Sequence, residues 1–305
     1  MPLIDVFIPC YNAEKYIEKA IESVRKQQFT DFRILVIDDG STDRSVQIVQ
    51  RLMKKDNRIV LLENECNLGV QFTRNRGLNE CISDYIAFMD ADDIMPEYRL
   101  MHQMLFLEAH PECDVLSGGM QTMTEDGNLQ DIVLFGEKNS EGVYAGLFFE
   151  NILPMGSCIV KRKFLQDRKI FFDENFYTLE DYNFWTDCAI NHANMHIMNE
   201  VLQYYRIVST GLSRTNSLSD KIIERNKCFD QIHYKMLKAY SIRLSENSEK
   251  IFLKYTNENK KTNYEKIIDW INFKALLREL KRQIPFSRNE WFQACDEFYK
   301  KYYVI

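Results

Sequence analysis

The chain has 305 residues, 45% of them hydrophobic and 28% charged, with a formal net charge of −6. That length suits one large domain with an appendage, or two domains, and the composition is that of a globular chain. The negative balance excludes wholesale binding to nucleic acid.

Charge is unevenly placed: residues 220–305 carry 18 Lys and Arg against 12 Asp and Glu, and the remainder carries 21 against 33. The basic C-terminal stretch reads either as a solvated helical face or as a surface resting on an anionic membrane. Eight cysteines occur without any C-x-x-C pair, so no zinc or redox site is expected. The opening MPLIDVFIPC lacks the basic start and long apolar run of a signal peptide. No stretch of about 18 apolar residues could span a membrane. Together these features predict a cytoplasmic chain with free thiols.

In chain order, residues 4–9 read as a buried strand. Residues 13–27 place Tyr16, Ile17, Ala20, Ile21 and Val24 at helical spacing. Residues 32–37 form a second apolar run, ending in Asp38-Asp39-Gly40, and Ser41 or Thr42 is the expected cap of the next helix, which carries Val46, Ile48, Val49 and Leu52. A third strand is expected at 59–62, a helix at 72–82 and a fourth strand at 85–89. Strands alternating with helices in this way imply a mostly parallel sheet covered on both faces. Further on, a helix is expected at 97–109, a strand near 114–117, a hairpin around Asp126-Gly127-Asn128, a helix at 181–191 and a strand at 195–206. After about residue 217 the pattern turns helical, with a polar loop or linker at 257–261 and an amphipathic helix at 266–280 before Pro285.

Open sheets of this kind bind ligands beyond the carboxyl ends of their strands. Three strand ends carry polar clusters: Pro9-Cys10-Tyr11-Asn12, Asp38-Asp39-Gly40-Ser41 and Asp90-Ala91-Asp92-Asp93. Three carboxylates in four residues repel one another unless a cation sits among them, and hard oxygen ligands suit Mg2+ or Mn2+ shared with a phosphate group. Taken alone, such a cluster is more often an exposed turn or helix cap. At Asp38-Asp39 a carboxylate could accept from the imide N–H of uracil, or cap the following helix. Gly69, in Asn67-Leu68-Gly69, permits a sharp loop before a helix. Arg74 lies one turn into that helix, where its guanidinium could reach a diphosphate. Glu180-Asp181 opens a later helix with Trp185 one turn on, and a carboxylate there could deprotonate an incoming hydroxyl or simply cap the helix. Tyr205-Arg206, with Ser209 to Ser213, forms a late polar loop, and Arg206 either approaches a phosphate or metal or anchors the C-terminal segment. The histidines show no ligand spacing beyond His192/His196, which spans a helix end. There is no G-x-x-x-x-G-K-[ST] and no G-x-G-x-x-G.

These blocks, in this order, resemble the family 2 glycosyltransferases of the GT-A fold, of the bacterial surface-polysaccharide type. Residues 5–93 carry the match with the family's spacing, in Val6-Phe7-Ile8-Pro9-Cys10-Tyr11-Asn12, Val36-Ile37-Asp38-Asp39-Gly40-Ser41-Thr42-Asp43, Asn67-Leu68-Gly69, Arg74-Asn75-Arg76-Gly77 and Asp90-Ala91-Asp92-Asp93. Glu180-Asp181 with Trp185 is a looser match. The resemblance implies an inverting transfer from a nucleotide-sugar, usually a UDP-sugar, to a glycan or lipid-diphosphate-linked glycan. Pro9, Tyr11 and Asn12 would line the nucleoside pocket and Asp39 would meet the base. Arg74 would lie near the diphosphate. Asp90, Ala91 and Asp92 would line the donor, with Asp90 and Asp92 on ribose and on Mn2+ or Mg2+ and Asp92 the more direct ligand. Asp181 would be the general base, with Glu180 next to it. Cys10 departs from the Thr or Ser of many relatives.

The expected organisation is a catalytic domain over 1–215, with a nucleotide-binding half at 1–95 and an acceptor-binding half at 96–215. A C-terminal helical region over 216–305 would follow, either a solvated helical face or a site of peripheral membrane contact at the inner face. Two other functions fit the fold class. A sugar nucleotidyltransferase would need a basic phosphate loop after the first strand, where this chain has no Gly run and no Lys or Arg before Lys15. A non-catalytic nucleotide-sugar-binding protein would not need the full set of carboxylates.

Overall fold

The computed structural model describes residues 1–208, 219–256, 276–277 and 279–303. Along the chain run β1 (Ile4–Cys10), α1 (Ile17–Arg25), β2 (Phe32–Asp38), α2 (Ser45–Met53), β3 (Ile59–Glu63), α3 (Val70–Glu80), β4 (Tyr85–Phe88) and α4 (Arg99–Ala109). After these come β5 (Val115–Met123), β6 (Leu129–Val133), α5 (Ser140–Leu147), a 3-10 turn (Met155–Ser157), β7 (Ile159–Lys161), α6 (Arg162–Arg168), α7 (Glu180–Ile190) and β8 (Met195–Arg206). Among the described residues the named C-terminal helices are α8 (Ser219–Ala239), α9 (Glu246–Thr256) and α10 (Arg288–Tyr303).

One sheet runs β3-β2-β1-β4-β7-β5-β6, with β8 paired to β5. Strands β1 to β4 are mutually parallel, whereas β7 is antiparallel to both β4 and β5, β6 is antiparallel to β5, and β8 is parallel to β5. This is a mixed GT-A-like α/β fold. Its first half is the parallel unit that the alternating pattern predicts. The three-residue strand β7, with α5 and α6, has no counterpart in the sequence reading, because so short an apolar run carries no period.

Period-two alternation splits the strands between two cores. Ile4, Val6 and Ile8 of β1, Ile34 and Val36 of β2 and Ala87 of β4 pack with Ile17, Ala20, Ile21 and Val24 of α1, Val49 and Leu52 of α2 and Leu100, Met104 and Leu107 of α4. Phe7, Leu35, Ile37, Ile86 and Phe88 face the other way, towards α3, α5, α7 and the C-terminal helices. The rings of Phe7, Phe172, Phe184 and Trp185 all meet Phe88 edge-to-face, which seats α7 under the end of β4.

The C-terminal helices share this second core: Phe229, Ile232, Met236, Phe252, Trp291 and Phe298 are buried in it. The 209–213 loop and the 257–261 linker lie outside the described residues, as does most of the 266–280 helix. Among the described residues no helix is long and apolar enough to cross a membrane. All eight cysteines carry free thiols.

Gly77, in the Arg74-Asn75-Arg76-Gly77 block, is a packing residue. A Cβ there would come within 2.3–2.6 Å of the Phe7 ring, so its absence lets α3 lie directly on β1. Gly77→Ala is therefore expected to cost about 1–3 kcal/mol through overpacking. Urea unfolding checks this, and the double variant with Phe7→Leu should recover part of the loss.

Candidate active site

The carboxyl ends of β1, β2 and β4 lie side by side, with Cys10 paired to Asp38 and Phe7 to Phe88. The loops after β1 and β2 are joined by side chains. Asn12, in a left-handed conformation, donates its N–H to the Ser41 hydroxyl and accepts from Thr42 N–H. Ala13 N–H donates to the Ser45 hydroxyl and Glu14 N–H to Asp43. Ser41 and Thr42 therefore do not cap α2 as expected. The Asp43 carboxylate accepts from Ser45 N–H instead, and Ser41 and Thr42 are drawn to Asn12. Tyr11 is left 48% exposed at the rim, with Pro9 half-buried beside it.

Asp38 and Asp39 divide their work. Asp38 Oδ2 accepts from Ser41 N–H, and its buried Oδ1 has no hydrogen-bond partner. Asp39 Oδ1 accepts from Asn64 Nδ2 and Leu68 N–H, and Oδ2 from Gly69 N–H. Three of its roughly four lone-pair positions are taken, two by the N–H groups of the Asn67-Leu68-Gly69 loop and one by Asn64, and one on Oδ2 remains. Gly40 is required here twice over: its φ is +70°, and a Cβ would lie 2.5–2.8 Å from the backbone of Cys66 and Asn67.

The acidic loop after β4 is asymmetric. Asp93 is buried and accepts from Arg206 N–H at 2.8 Å and from the Gln203 amide. It ties the loop to the end of β8 and does not face the site as a third free carboxylate. Asp90 and Asp92 are the half-buried pair. Burial first, and Asp90 second, push the Asp92 carboxyl up to about 6. Among the described residues, no three or more His, Cys, Asp or Glu side chains are arranged to hold a metal ion.

Arg206, read from the sequence as either a phosphate or metal contact or an anchor of the C-terminal segment, has its side chain on main-chain carbonyls. It is buried, its Nε donates to the Asp92 carbonyl at 2.7 Å and its Nη1 to the Glu125 carbonyl at 2.8 Å, and its guanidinium lies over the Tyr16 ring. With those donors committed to main chain, it anchors the acidic loop to the β5–β6 hairpin.

Arg74 is the centre of the constellation. Its side chain is 7% exposed, and its two Nη atoms donate to Asp90 at 3.4 Å and to Glu180 at 2.8 Å. Despite burial its pKa is raised, with Glu180, Asp90 and Asp181 as the carboxylates that raise it. Helix α3 brings Arg74 here because Gly69, at φ +98°, ends the loop that Asp39 organises. Helix α7 opens after Leu179, a left-handed residue, and so presents Glu180 and Asp181 to the same space. Asp181 Oδ1 accepts from Tyr182 N–H and Oδ2 from Asn151 Nδ2. Burial first, then Glu180, push its carboxyl up to about 6. The structure thus gathers Arg74, Asp90, Glu180 and Asp181, with Arg74 and Glu180 106 residues apart in sequence. Asn151, and Arg99, whose guanidinium donates to the carbonyls of Phe88 and Cys158, are contributors that sequence reasoning did not single out. Asp93 stood in the acidic run, where it read as one of three carboxylates around a cation and not as an anchor.

The glycosyl transferase family 2 model matches residues 5–152. An uncharacterized glycosyltransferase of Methanocaldococcus jannaschii is 33% identical over 208 residues, covering 68% of this chain and 71% of the relative. The chain belongs to glycosyltransferase family 2. A putative teichuronic acid biosynthesis glycosyltransferase of Bacillus subtilis, TuaG, is 29% identical over 212 residues, covering 70% of this chain and 82% of the relative. The fold is that of Staphylococcus aureus TarS 1–349 in complex with UDP-GlcNAc, with a TM-score of 0.65 at 22% identity over 98% of this chain and 81% of that one. This family 2 chain is accordingly an enzyme, a glycosyltransferase.

Asp39→Asn would set an amide against two backbone donors. The expected outcome is a loss of about 1–3 kcal/mol of stability. The Leu68 and Gly69 amides should lose hydrogen-exchange protection before the rest of the sheet does.

Proposed function

We propose that this glycosyltransferase moves a sugar from a UDP-sugar to a glycan or lipid-linked glycan with inversion, in surface polysaccharide synthesis. The observation that carries the proposal is the convergence on Arg74 of a donor-side carboxylate, Asp90, and the acceptor-side pair Glu180 and Asp181. The nucleoside pocket lies at the ends of β1 and β2. Tyr11 supplies an exposed ring for the base, Pro9 and Asn12 supply the wall, and the remaining lone pair on Asp39 Oδ2 meets the uracil imide.

Asp90 and Asp92 suit one divalent cation, Mn2+ or Mg2+. Two carboxylates leave room for diphosphate oxygens to complete a hard ion's shell, and a cation there would favour the ionised form of the Asp92 carboxyl, which burial first and Asp90 second push up to about 6. When bound, that ion offsets charge developing on the leaving diphosphate. Arg74 adds a guanidinium on the same side, oriented by Glu180. Asp181 takes the proton of the acceptor hydroxyl as its oxygen attacks the anomeric carbon from the face opposite the diphosphate. The donor half is 1–95, the acceptor half 96–215, and the basic helical region from 216 is the candidate for peripheral contact at the inner membrane face.

A sugar nucleotidyltransferase fits less well. The Asn12, Ala13 and Glu14 N–H groups after β1, which would cradle a triphosphate, are taken by Ser41, Ser45 and Asp43.

Calorimetry with UDP and Mn2+, beside a transfer assay, tests the assignment. Asp92→Ala should abolish both binding of the metal-nucleotide pair and transfer. Asp181→Ala should leave binding intact and lower kcat by roughly 10²–10⁴-fold. Full turnover in Asp181→Ala would move the base elsewhere. Because the base must be ionised, kcat/KM should fall as pH drops through about 6. Metal binding requires ionised Asp92, so Mn2+ affinity should rise with pH through about 6. Calorimetry in buffers of different ionisation enthalpy should show protons released on binding.

A further inference from the structure

The Asp181 carboxylate is gripped from two segments: Tyr182 N–H donates to Oδ1 at 2.7 Å and Asn151 Nδ2 to Oδ2 at 2.9 Å. The Asn151 amide has a fixed sense, because its Oδ1 accepts from Leu153 N–H at 3.1 Å, which turns the NH2 towards Asp181. Asn151 lies between α5 and the 3-10 turn, and that stretch is pinned by a buried guanidinium. Arg99 donates to the carbonyls of Gly156 and Cys158, and also to that of Phe88 at the end of β4. One cation therefore holds both the strand that launches Asp90 and the turn that follows Asn151.

The charged and titratable groups facing Asp181 are Glu180 on α7, Arg74 on α3, Asp90 after β4 and the buried Cys158 thiol before β7. Arg74 favours the carboxylate; burial and the two acidic neighbours oppose it. Asn151 is a neutral donor to the charged form, the kind of contact that keeps a buried carboxylate ionised without competing with its proton-accepting task. With one donor on each oxygen, each oxygen keeps a lone pair, and the plane of the carboxylate is set.

We propose that Asn151 is the positioning residue of the catalytic base, orienting Asp181 through Oδ2 and sustaining its ionised form; this rests on Asp181 being that base. The test uses the full chain with a UDP-sugar donor, Mn2+ and its acceptor, in Asn151→Ala, Asn151→Asp and Asp181→Asn. Asn151→Ala should lower kcat about tenfold or more with donor KM and UDP affinity unchanged. It should also move the acid limb of kcat/KM up by about one pH unit, the size of one lost hydrogen bond. Asn151→Asp, nearly isosteric but acceptor-only when ionised and adding a like charge, should move the limb at least as far. It serves if the alanine variant does not fold. Asp181→Asn should be inactive at every pH. Transfer retained in Asp181→Asn would remove the base assignment and this proposal with it. An inactive Asp181→Asn beside Asn151 variants whose acid limb stays at the wild-type pH would overturn the Asn151 role alone, even if kcat fell.

Discussion

Arg74 donates to Asp90 on one side and to Glu180 on the other, and the site depends on that bridge. Without a cation between them, the carboxylates after β4 and those opening α7 would be driven apart, since like charges a few ångströms apart in a partly dry space are costly. With it, two segments 90 residues apart are drawn over one cleft. The guanidinium does not cancel the charge: Glu180, Asp90 and Asp181 all act on it, and Asp92 lies beyond. The remaining negative excess is what a divalent ion and a diphosphate ester are suited to share.

The rest of the molecule keeps this bridge in register. Gly77 lets α3 settle on β1, which fixes the height of Arg74. Asp39 organises the turn from which α3 departs, with Gly40 leaving space for the backbone of Cys66. The aromatic contacts around Phe88 fix α7 against β4, so the two carboxylate-bearing ends meet at a constant distance. Two buried groups that appear functional in the chain serve as anchors. Asp93 and Arg206 tie the acidic loop to β8 and to the β5–β6 hairpin, which leaves Asp90 and Asp92 as the half-buried pair.

The C-terminal helices belong to the same packing system. Phe229, Ile232, Phe252 and Trp291 enter the core that backs α5 and α7, and the Tyr182 hydroxyl, next along α7 from Asp181, meets the His233 ring. Burial holds His233 down to about 3, so it stays neutral and acts as part of the packing. Whatever these helices contact outside, they also support α7 from within.

Local pattern determined the parallel half of the sheet, the placement of Tyr11, Asp39, Asp90 and Asp181 at element ends and of Arg74 one turn into α3, and the family. Those features depend on short-range periodicity and on residues adjacent in the chain. The antiparallel insertion of β7, the drawing of Ser41 and Thr42 to Asn12 and away from the cap of α2, the anchoring of Arg206 and Asp93, and the approach of Asn151 to Asp181 were decided only by the tertiary structure. Each depends on which groups meet across tens to more than a hundred residues, and a hydrogen bond goes to whichever donor the fold brings near, which local sequence does not encode.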